Sequence, residues 1–220
     1  MWSPAADGFY TFGGHDGVHH AAVWSPAADG FYTFGGSDGS AYVNNLWFYA
    51  RQANSWTELS PSGTAPSIRA DHDAAWSPAA DGFYVFGGYD GSSYLNDLWF
   101  YGRQANSWTE LSPSGTAPSG RSGHAAMWSP AADGFYVFGG KTGSSNVNND
   151  LWFYGRQANS WTELSPSGTA PSARSSSYPV WSPAADGFYV FGGWDGSSPL
   201  NDLWFYGRQA GEGHRQISRA

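Results

Sequence analysis

The side chains with the chemistry for metal binding fall in two short histidine-containing stretches. His15, His19 and His20 lie close together near the N-terminus, and residues 71–73 read Asp-His-Asp. Imidazole and carboxylate groups are zinc ligands, so either stretch has the donor types of a metal site. Neither pattern recurs in the repeats described below, and a histidine near the start of a strand more often makes a structural hydrogen bond. We therefore predict no metal site and no cofactor.

Three arginines recur at a fixed place, each preceded by Pro-Ser and one variable residue: Arg69, Arg121 and Arg174. A guanidinium group binds carboxylates through two parallel hydrogen bonds and also stacks on aromatic rings. These arginines therefore suit two roles. They either recognise an acidic segment of a partner or brace the chain against neighbouring carbonyl groups and rings.

The remaining candidates for catalysis belong to a repeated framework. Glu58, Glu110 and Glu163 each stand in the same pentapeptide, SWTEL, and so are equivalent residues rather than a pair converging on one substrate. The chain has no cysteine, which excludes thiol nucleophiles, thiolate metal sites and disulfides. We predict that the protein is not an enzyme, and the alternative to test is a metal-dependent enzyme.

Composition narrows the classes of partner. The net charge of −8 argues against nucleic-acid binding, because phosphate contacts need a basic face. No apolar run reaches membrane-spanning length and no signal peptide is evident, so we expect no membrane partner and favour the cytoplasm. Aromatic residues form 18% of the chain against 13% charged residues, which indicates a core built mainly from rings.

The elements that position all these residues are copies of one unit. The nonapeptide WSPAADGFY begins at five positions separated by 22, 52, 52 and 53 residues: Trp2, Trp24, Trp76, Trp128 and Trp181. A period near 50 residues is typical of a small structural unit that buries its apolar faces against its neighbours.

Each unit predicts four β-strands, here called A to D. In the third full unit these are the runs HAAMW, GFYVFGG, DLWFY and SWTEL, bounded by residues that favour turns. The run FYVF carries apolar groups on both faces, so its sheet must be covered on both sides. Four-stranded sheets stacked radially satisfy this requirement, as in a β-propeller.

The motifs resemble those of the kelch-repeat β-propellers. A double glycine follows strand B at residues 35–36, 87–88, 139–140 and 192–193, and three Tyr–Trp pairs link strands C and D: Tyr49 with Trp56, Tyr101 with Trp108, and Tyr154 with Trp161. The resemblance implies an all-β propeller of four-stranded antiparallel blades with a protein-binding role. Galactose-oxidase-like enzymes share the propeller, but their copper site uses a Tyr cross-linked to Cys, and this chain has no Cys. Kelch-type specifier proteins of small-molecule metabolism, which use iron, are the alternative.

The repeats divide the chain into one kelch domain or fragment with an incomplete ring. We predict a truncated blade at 1–19, complete blades at 20–71, 72–123 and 124–176, a blade without its outer strand at 177–210, and a non-repeat tail at 211–220. In the tail, Gly213 stands where spacing predicts a Trp. The strand from Leu203 to Tyr206 would then expose an unpaired edge, so we expect self-association. A fragment with no independent function is a further alternative.

The differences between repeats predict the binding face. In an antiparallel blade the A–B and C–D turns share one end, and the B–C and D–A loops share the other. The first end is nearly identical in every copy, whereas the second end varies. We predict a protein or peptide partner at the variable end, although loops also diverge without function. The candidate partner-binding residues are Ser37, Arg69, Tyr89, Arg121, Lys141, Arg174 and Trp194.

Overall fold

A computed structural model of the chain describes residues 19–144 and 146–208, and the backbone of residues 2–3, 8–9 and 217–219. Every regular element among these residues is a β-strand. The first two, β1 (Trp2–Ser3) and β2 (Gly8–Phe9), pair antiparallel with Trp2 opposite Phe9. The same register joins strands A and B of the later repeats, where Trp24 lies opposite Phe31.

Four antiparallel four-stranded sheets follow, named blades 1 to 4, and in each the strands lie side by side in chain order. Blade 1 contains β3 (Ala21–Ser25), β4 (Gly30–Phe34), β5 (Leu46–Ala50) and β6 (Ser55–Leu59). Blade 2 contains β7 (Asp73–Ser77), β8 (Gly82–Phe86), β9 (Leu98–Gly102) and β10 (Ser107–Leu111). Blade 3 contains β11 (Ala125–Ser129), β12 (Gly134–Phe138), β13 (Leu151–Gly155) and β14 (Ser160–Leu164). Blade 4 contains β15 (Tyr178–Ser182), β16 (Gly187–Trp194), β17 (Pro199–Gly207) and β18 (Ile217–Arg219).

The repeated hairpin SPAADG explains how strands A and B pair. In blade 1 the Ser25 hydroxyl accepts a hydrogen bond from the Ala28 amide, and Asp29 takes the left-handed conformation at a φ of 48°. Glycine is required at position 30 because a Cβ there would collide with the Tyr49 carbonyl oxygen on strand C. The turn and the close approach of strands B and C are therefore both specified by one short motif.

The blades pack face to face in two compact units, Met1–Leu111 and Ser112–Ala220. In the first, Tyr32 of blade 1 contacts Phe83 and Tyr101 of blade 2, with ring centroids 5.6 and 5.5 Å apart. In the second, Tyr136 of blade 3 makes the equivalent contacts with blade 4. All residues of β8 and β12 are buried, as a strand covered on both faces requires. The prediction of an all-β propeller fold with four-stranded antiparallel blades is confirmed.

Blade 4 corrects one expectation, because its outer strand is present. Strand β18 pairs with β17, and Ile217 lies opposite Tyr206, the position that Trp161 takes opposite Tyr154 in blade 3. The residue at the Trp position is thus Ile217, four residues beyond Gly213, which lies outside the described residues. The edge of β17 is paired from Trp204 to Tyr206, which removes the predicted basis for self-association.

Candidate functional site

The nearly identical end of each blade is held by an ion pair between its two turns. In blade 1, Arg51 of the C–D turn donates two hydrogen bonds of 2.7 Å to the carboxylate of Asp29 in the A–B turn. Both side chains are partly exposed, and the pair recurs in every blade as Arg103–Asp81, Arg156–Asp133 and Arg208–Asp186. The A–B and C–D turns therefore share one end of the blade.

The Tyr of each Tyr–Trp motif is anchored at the same end. The Tyr154 hydroxyl donates to the Asn159 side-chain oxygen at 2.9 Å, and Asn159 takes a left-handed φ of 44° in the C–D turn. Burial raises the pKa of Tyr154 to about 12, so the hydroxyl keeps its proton as the donor. Blades 1 and 2 repeat this contact, which makes it part of the framework.

At the other end, the residue after each double glycine pairs with the linker that enters the same blade. In blade 2, Ala70 and Tyr89 exchange two backbone hydrogen bonds of 3.0 and 2.9 Å. Ser122 with Lys141, and Ser175 with Trp194, form the same bridge in blades 3 and 4. The structure thus brings the B–C and D–A loops together in each of these blades, and we call this the variable end.

The three linker arginines are not on the surface, which corrects their assignment as partner-binding residues. The side chains of Arg69, Arg121 and Arg174 are all 0% exposed. Arg121 donates to both oxygens of Asp150 at 2.7 Å and to the Gly139 carbonyl at 2.8 Å. A side chain saturated in this way cannot reach a partner, so these arginines brace the linker.

The aspartates of these pairs carry a second bond. The Trp152 indole nitrogen donates to Asp150 at 2.6 Å, and blades 2 and 4 repeat the contact. Burial opposes the ionisation of Asp150, but the hydrogen bonds and charge of Arg121 outweigh it and hold its pKa below the usual value. In blade 4, mainly through the hydrogen bonds from Arg174, the pKa of Asp202 falls to about 2. These carboxylates therefore remain charged at neutral pH.

The sequence holds a signal for this ion pair that the repeated motifs alone do not reveal. Each arginine stands 28 or 29 residues before the Asp of an Asp-Leu-Trp motif. In blade 1 both partners are absent together, since Gly17 and Asn45 occupy the two places in the sequence. Joint loss is expected because one buried charge without the other is costly.

The double glycine serves the same junction. Gly139 has a φ of 63°, and a Cβ there would lie 2.6 Å from the Arg174 carbonyl oxygen. A Cβ on Gly140 would lie 2.8 Å from the His124 side chain. The motif therefore lets the B–C loop approach the linkers closely, and this contact fixes the loop backbone.

The histidines show a periodicity of their own, because His20, His72 and His124 follow one another at intervals of 52 residues. His72 and His124 are buried, and Phe34 meets His72 edge-on at 5.4 Å. Burial lowers the pKa of His124 to about 3, so it is neutral. Among residues 19–144 and 146–208, no three His, Asp or Glu side chains are grouped to hold a metal. His15 lies outside the described residues.

Four predicted partner-binding residues do lie at the variable ends. Trp194 is 43% exposed, and Ser37, Tyr89 and Lys141 are half-buried. Tyr89 forms a small aromatic cluster with Tyr94 and with Tyr42 of blade 1, at centroid distances of 5.0 and 6.2 Å. The aspartate that follows Tyr89, Asp90, accepts two backbone hydrogen bonds of 2.7 Å, which lower its pKa and keep it ionised.

Comparison with known proteins agrees with this architecture. The KLHDC2/KLHL20/DRC7 Kelch-repeats domain matches the chain over residues 15–132 and again over residues 81–216. A leucine-zipper-like transcriptional regulator 1 homolog of Drosophila melanogaster is 37% identical over 131 residues, which are 56% of this chain and 13% of that protein. Kelch domain-containing protein 2 of Bos taurus is 32% identical over 109 residues, or 50% of this chain and 26% of that protein.

A third relative is the Rho GTPase-activating protein gacHH of Dictyostelium discoideum, 30% identical over 118 residues, which are 51% of this chain and 8% of that protein. The chain thus spans about a quarter or less of the length of these three relatives. No helix in the described parts of the chain is long and apolar enough to cross a membrane. The domain match, the four-stranded blades and the repeated motifs place this chain in the kelch-repeat family.

Proposed function

We propose that the protein is an interaction scaffold that binds a protein or peptide partner at the variable ends of its blades. One observation carries the proposal. In blades 2, 3 and 4 backbone hydrogen bonds to the linker hold the residue after the double glycine in the same place, while its side chain changes from Tyr89 to Lys141 to Trp194. Rigid placement of varied side chains is the usual design of a recognition surface.

Charge indicates the chemistry of the partner in the first unit. The linker arginine there is neutralised by Asp97 and buried, so it offers nothing to an acidic segment. Burial, then the charges of Tyr89 and Asp71, raise the pKa of Tyr94, so a carboxylate acts on the tyrosine cluster. A second carboxylate, that of Asp90, follows Tyr89 directly in the chain. Tyrosine rings next to carboxylates favour cationic groups, so we propose a partner segment that contains Lys or Arg.

The experiment is selection of peptides from a random display library on the intact protein. The test variant carries Tyr89→Ala, Lys141→Ala and Trp194→Ala. The control carries three substitutions at exposed positions of the nearly identical end: Ala53→Ser, Ala105→Ser and Ala158→Ser. We expect enrichment of basic peptides that the control retains and the test variant loses. Enriched peptides that bind all three proteins equally would refute the proposal.

The enzymatic alternative is tested separately, by elemental analysis of the purified protein. Stoichiometric iron or copper would replace the binding proposal with a metal-dependent reaction. The measurement needs no knowledge of substrate or partner, so its outcome is independent of the peptide selection.

A further inference from the structure

Lys141 differs from the arginines of the chain because its side chain takes no part in an ion pair. Among residues 19–144 and 146–208, all seven arginines are bound to aspartates through the pairs described above. Lys141 is the only lysine in the sequence, and within these same ranges its ammonium group has no carboxylate partner. The net charge of the protein is −8, yet an unpaired positive charge lies at the variable end of blade 3.

The loop that carries Lys141 also differs from its counterparts in acidic residues. Three blades carry an aspartate as the second residue after the double glycine: Asp38, Asp90 and Asp195. Blade 3 has Thr142 at this place, and its loop from 141 to 149 contains no Asp or Glu. Residues 119–123 of the linker that pairs with Lys141 contain none either. Neither segment therefore supplies a carboxylate that would neutralise the ammonium group.

Backbone contacts connect Lys141 to the exposed Trp194 within the second unit. Lys141 pairs with the linker that enters blade 3, and there the Gly123 carbonyl accepts a hydrogen bond of 2.6 Å from the Ser176 amide. Ser176 belongs to the linker that enters blade 4, and the residue before it, Ser175, exchanges two backbone hydrogen bonds with Trp194. The loops that carry the two side chains are thus joined through the two linkers, and the exposed Ser176 lies at their junction.

One unpaired positive charge suits a ligand group with one negative charge. A carboxylate has that charge, and it accepts hydrogen bonds from an ammonium group and from a hydroxyl such as that of Ser176. A phosphate carries nearly two charges at neutral pH and suits a cluster of cations, whereas Arg121 and Arg174 at this end are already neutralised. Trp194, which is 43% exposed, offers a ring on which an apolar side chain can pack.

The variable end of the first unit is more acidic. Three aspartates lie in its two B–C loops and in the linker between its blades: Asp38, Asp90 and Asp71. At the matching places of the second unit only Asp195 is acidic, and its carboxylate accepts two amide hydrogen bonds of 2.7 Å. The second unit therefore has fewer acidic groups at its variable end and also carries Lys141.

We propose that the second unit binds an acidic segment of a protein or peptide partner. A carboxylate side chain of the segment pairs with Lys141, and a neighbouring apolar side chain packs on Trp194. The inference rests on the proposed binding role of the variable ends and adds a second ligand class to it. The first unit takes basic segments and the second unit takes acidic ones, so single substitutions separate the two preferences.

The test sorts the clones that a random peptide display library yields on the intact protein. Each clone is measured against Lys141→Met, against Tyr89→Ala in the first unit, and against Ala158→Ser, a control at the nearly identical end of blade 3. We expect a class of clones rich in acidic and apolar residues whose dissociation constant Lys141→Met raises roughly tenfold to a hundredfold. Tyr89→Ala and Ala158→Ser should leave the binding of this class unchanged.

A synthetic peptide from this class identifies the group that Lys141 binds. Replacing its critical Asp or Glu by the matching amide should weaken binding to the native protein as much as Lys141→Met does, and should have little further effect on that variant. Acidic clones that bind Lys141→Met as tightly as the native protein would overturn the inference. A phosphoserine peptide that binds more tightly than its aspartate counterpart would overturn the choice of a carboxylate.

The same selection distinguishes this inference from the proposed function. Enrichment of basic clones alone would overturn the acidic site and leave partner binding at the variable ends intact. Failure to enrich any clone would refute partner binding at the variable ends, and the acidic site with it.

Discussion

The buried pair between Arg121 and Asp150 offers the sharpest test of how the linkers are held. Arg121→Met removes the guanidinium but keeps most of the apolar stem. The substitution leaves Asp150 with Trp152 as its remaining side-chain donor and frees the Gly139 carbonyl, which accepts from Arg121 at 2.8 Å. Breaking one side of a buried pair costs about 3–5 kcal/mol.

This loss of stability should lower the thermal midpoint of unfolding by a measurable amount. In a protein of this size, 1 kcal/mol moves the thermal midpoint by roughly 2–4 °C, so Arg121→Met should lower it by roughly 6–20 °C. Arg156→Met is the matched control in the same blade. Arg156 also binds a carboxylate through two hydrogen bonds, but its side chain is 29% exposed, so we expect a loss of about 0–1 kcal/mol.

A double variant separates the pair from its surroundings. Asp150→Asn alone leaves the buried arginine without its counter-charge and should cost about as much as Arg121→Met. The double variant should lose clearly less stability than the sum of the two single variants, because the second substitution removes the charge that the first leaves unpaired. Blade 1 provides the precedent, since Asn45 stands at the aspartate position.

The assay is urea denaturation followed by tryptophan fluorescence, with thermal melts by circular dichroism. The reasoning fails if Arg121→Met destabilises no more than Arg156→Met. It also fails if the effects of the two substitutions at the buried pair simply add. Either result would mean that the linker is held by its backbone bonds and not by the ion pair.

Further expectations follow from groups near the same junction. Burial holds the pKa of His124 at about 3 against its ordinary value of 6.5, so the unfolded chain takes up a proton there before the folded protein does. The free energy of unfolding should therefore fall as the pH drops below 6.5, by up to about 1.4 kcal/mol per pH unit. In His124→Gln the urea midpoint should depend less on pH between about pH 6 and 4. Arg174 lowers the pKa of Asp202 from 3.8 to about 2, so the stabilisation that the ionised Asp202 gives above pH 4 should be lost between pH 4 and 2. In Asp202→Asn the urea midpoint should fall less steeply over the same pH range. Gly139→Ala should cost about 2 kcal/mol or more in urea denaturation, since its φ is 63° and its Cβ would meet a carbonyl at 2.6 Å. Gly155→Ala should change stability by less than about 0.5 kcal/mol, because its nearest contact would be 3.5 Å away and blade 1 carries Ala50 at this position.

The strands and their pairing were predictable because the same strand and turn motifs recur in each repeat. Trp24 opposite Phe31 and Tyr154 opposite Trp161 follow from turn motifs that fix the register locally. The location of the variable loops followed from antiparallel order alone. Local chemistry, repeated in register, was therefore enough for the blades and for the end at which Tyr89, Lys141 and Trp194 lie.

The role of the linker arginines was not predictable in the same way. Arg174 and Asp202 are separated by 28 residues and meet only after the blade has formed. The sequence left two roles open because a guanidinium suits an external carboxylate and an internal one equally well. Comparing blade 1 with the others would have favoured the internal role, because Gly17 and Asn45 replace the arginine and the aspartate together.

The outer strand of blade 4 was missed because the prediction relied on a tryptophan at fixed spacing. Strand pairing needs only extended backbone with free donors and acceptors, which Ile217–Arg219 supplies without the SWTEL sequence. Ten residues separate Tyr206 from Ile217, whereas six separate Tyr154 from Trp161, so the expected position was displaced by four. A motif search is therefore weakest where a turn changes length.

The division between framework and variation has a physical basis that bears on function. The bridge between Ser122 and Lys141 uses only backbone atoms, through bonds of 3.0 and 2.9 Å, and the double glycine that shapes the loop precedes it unchanged. The backbone bonds that hold Lys141 in place therefore do not depend on its side chain. A substitution such as Lys141→Tyr should change what the variable end binds while leaving the unfolding midpoint within the small range of ordinary surface substitutions. Such independence would let each blade present a different side chain at the variable end on an unchanged backbone.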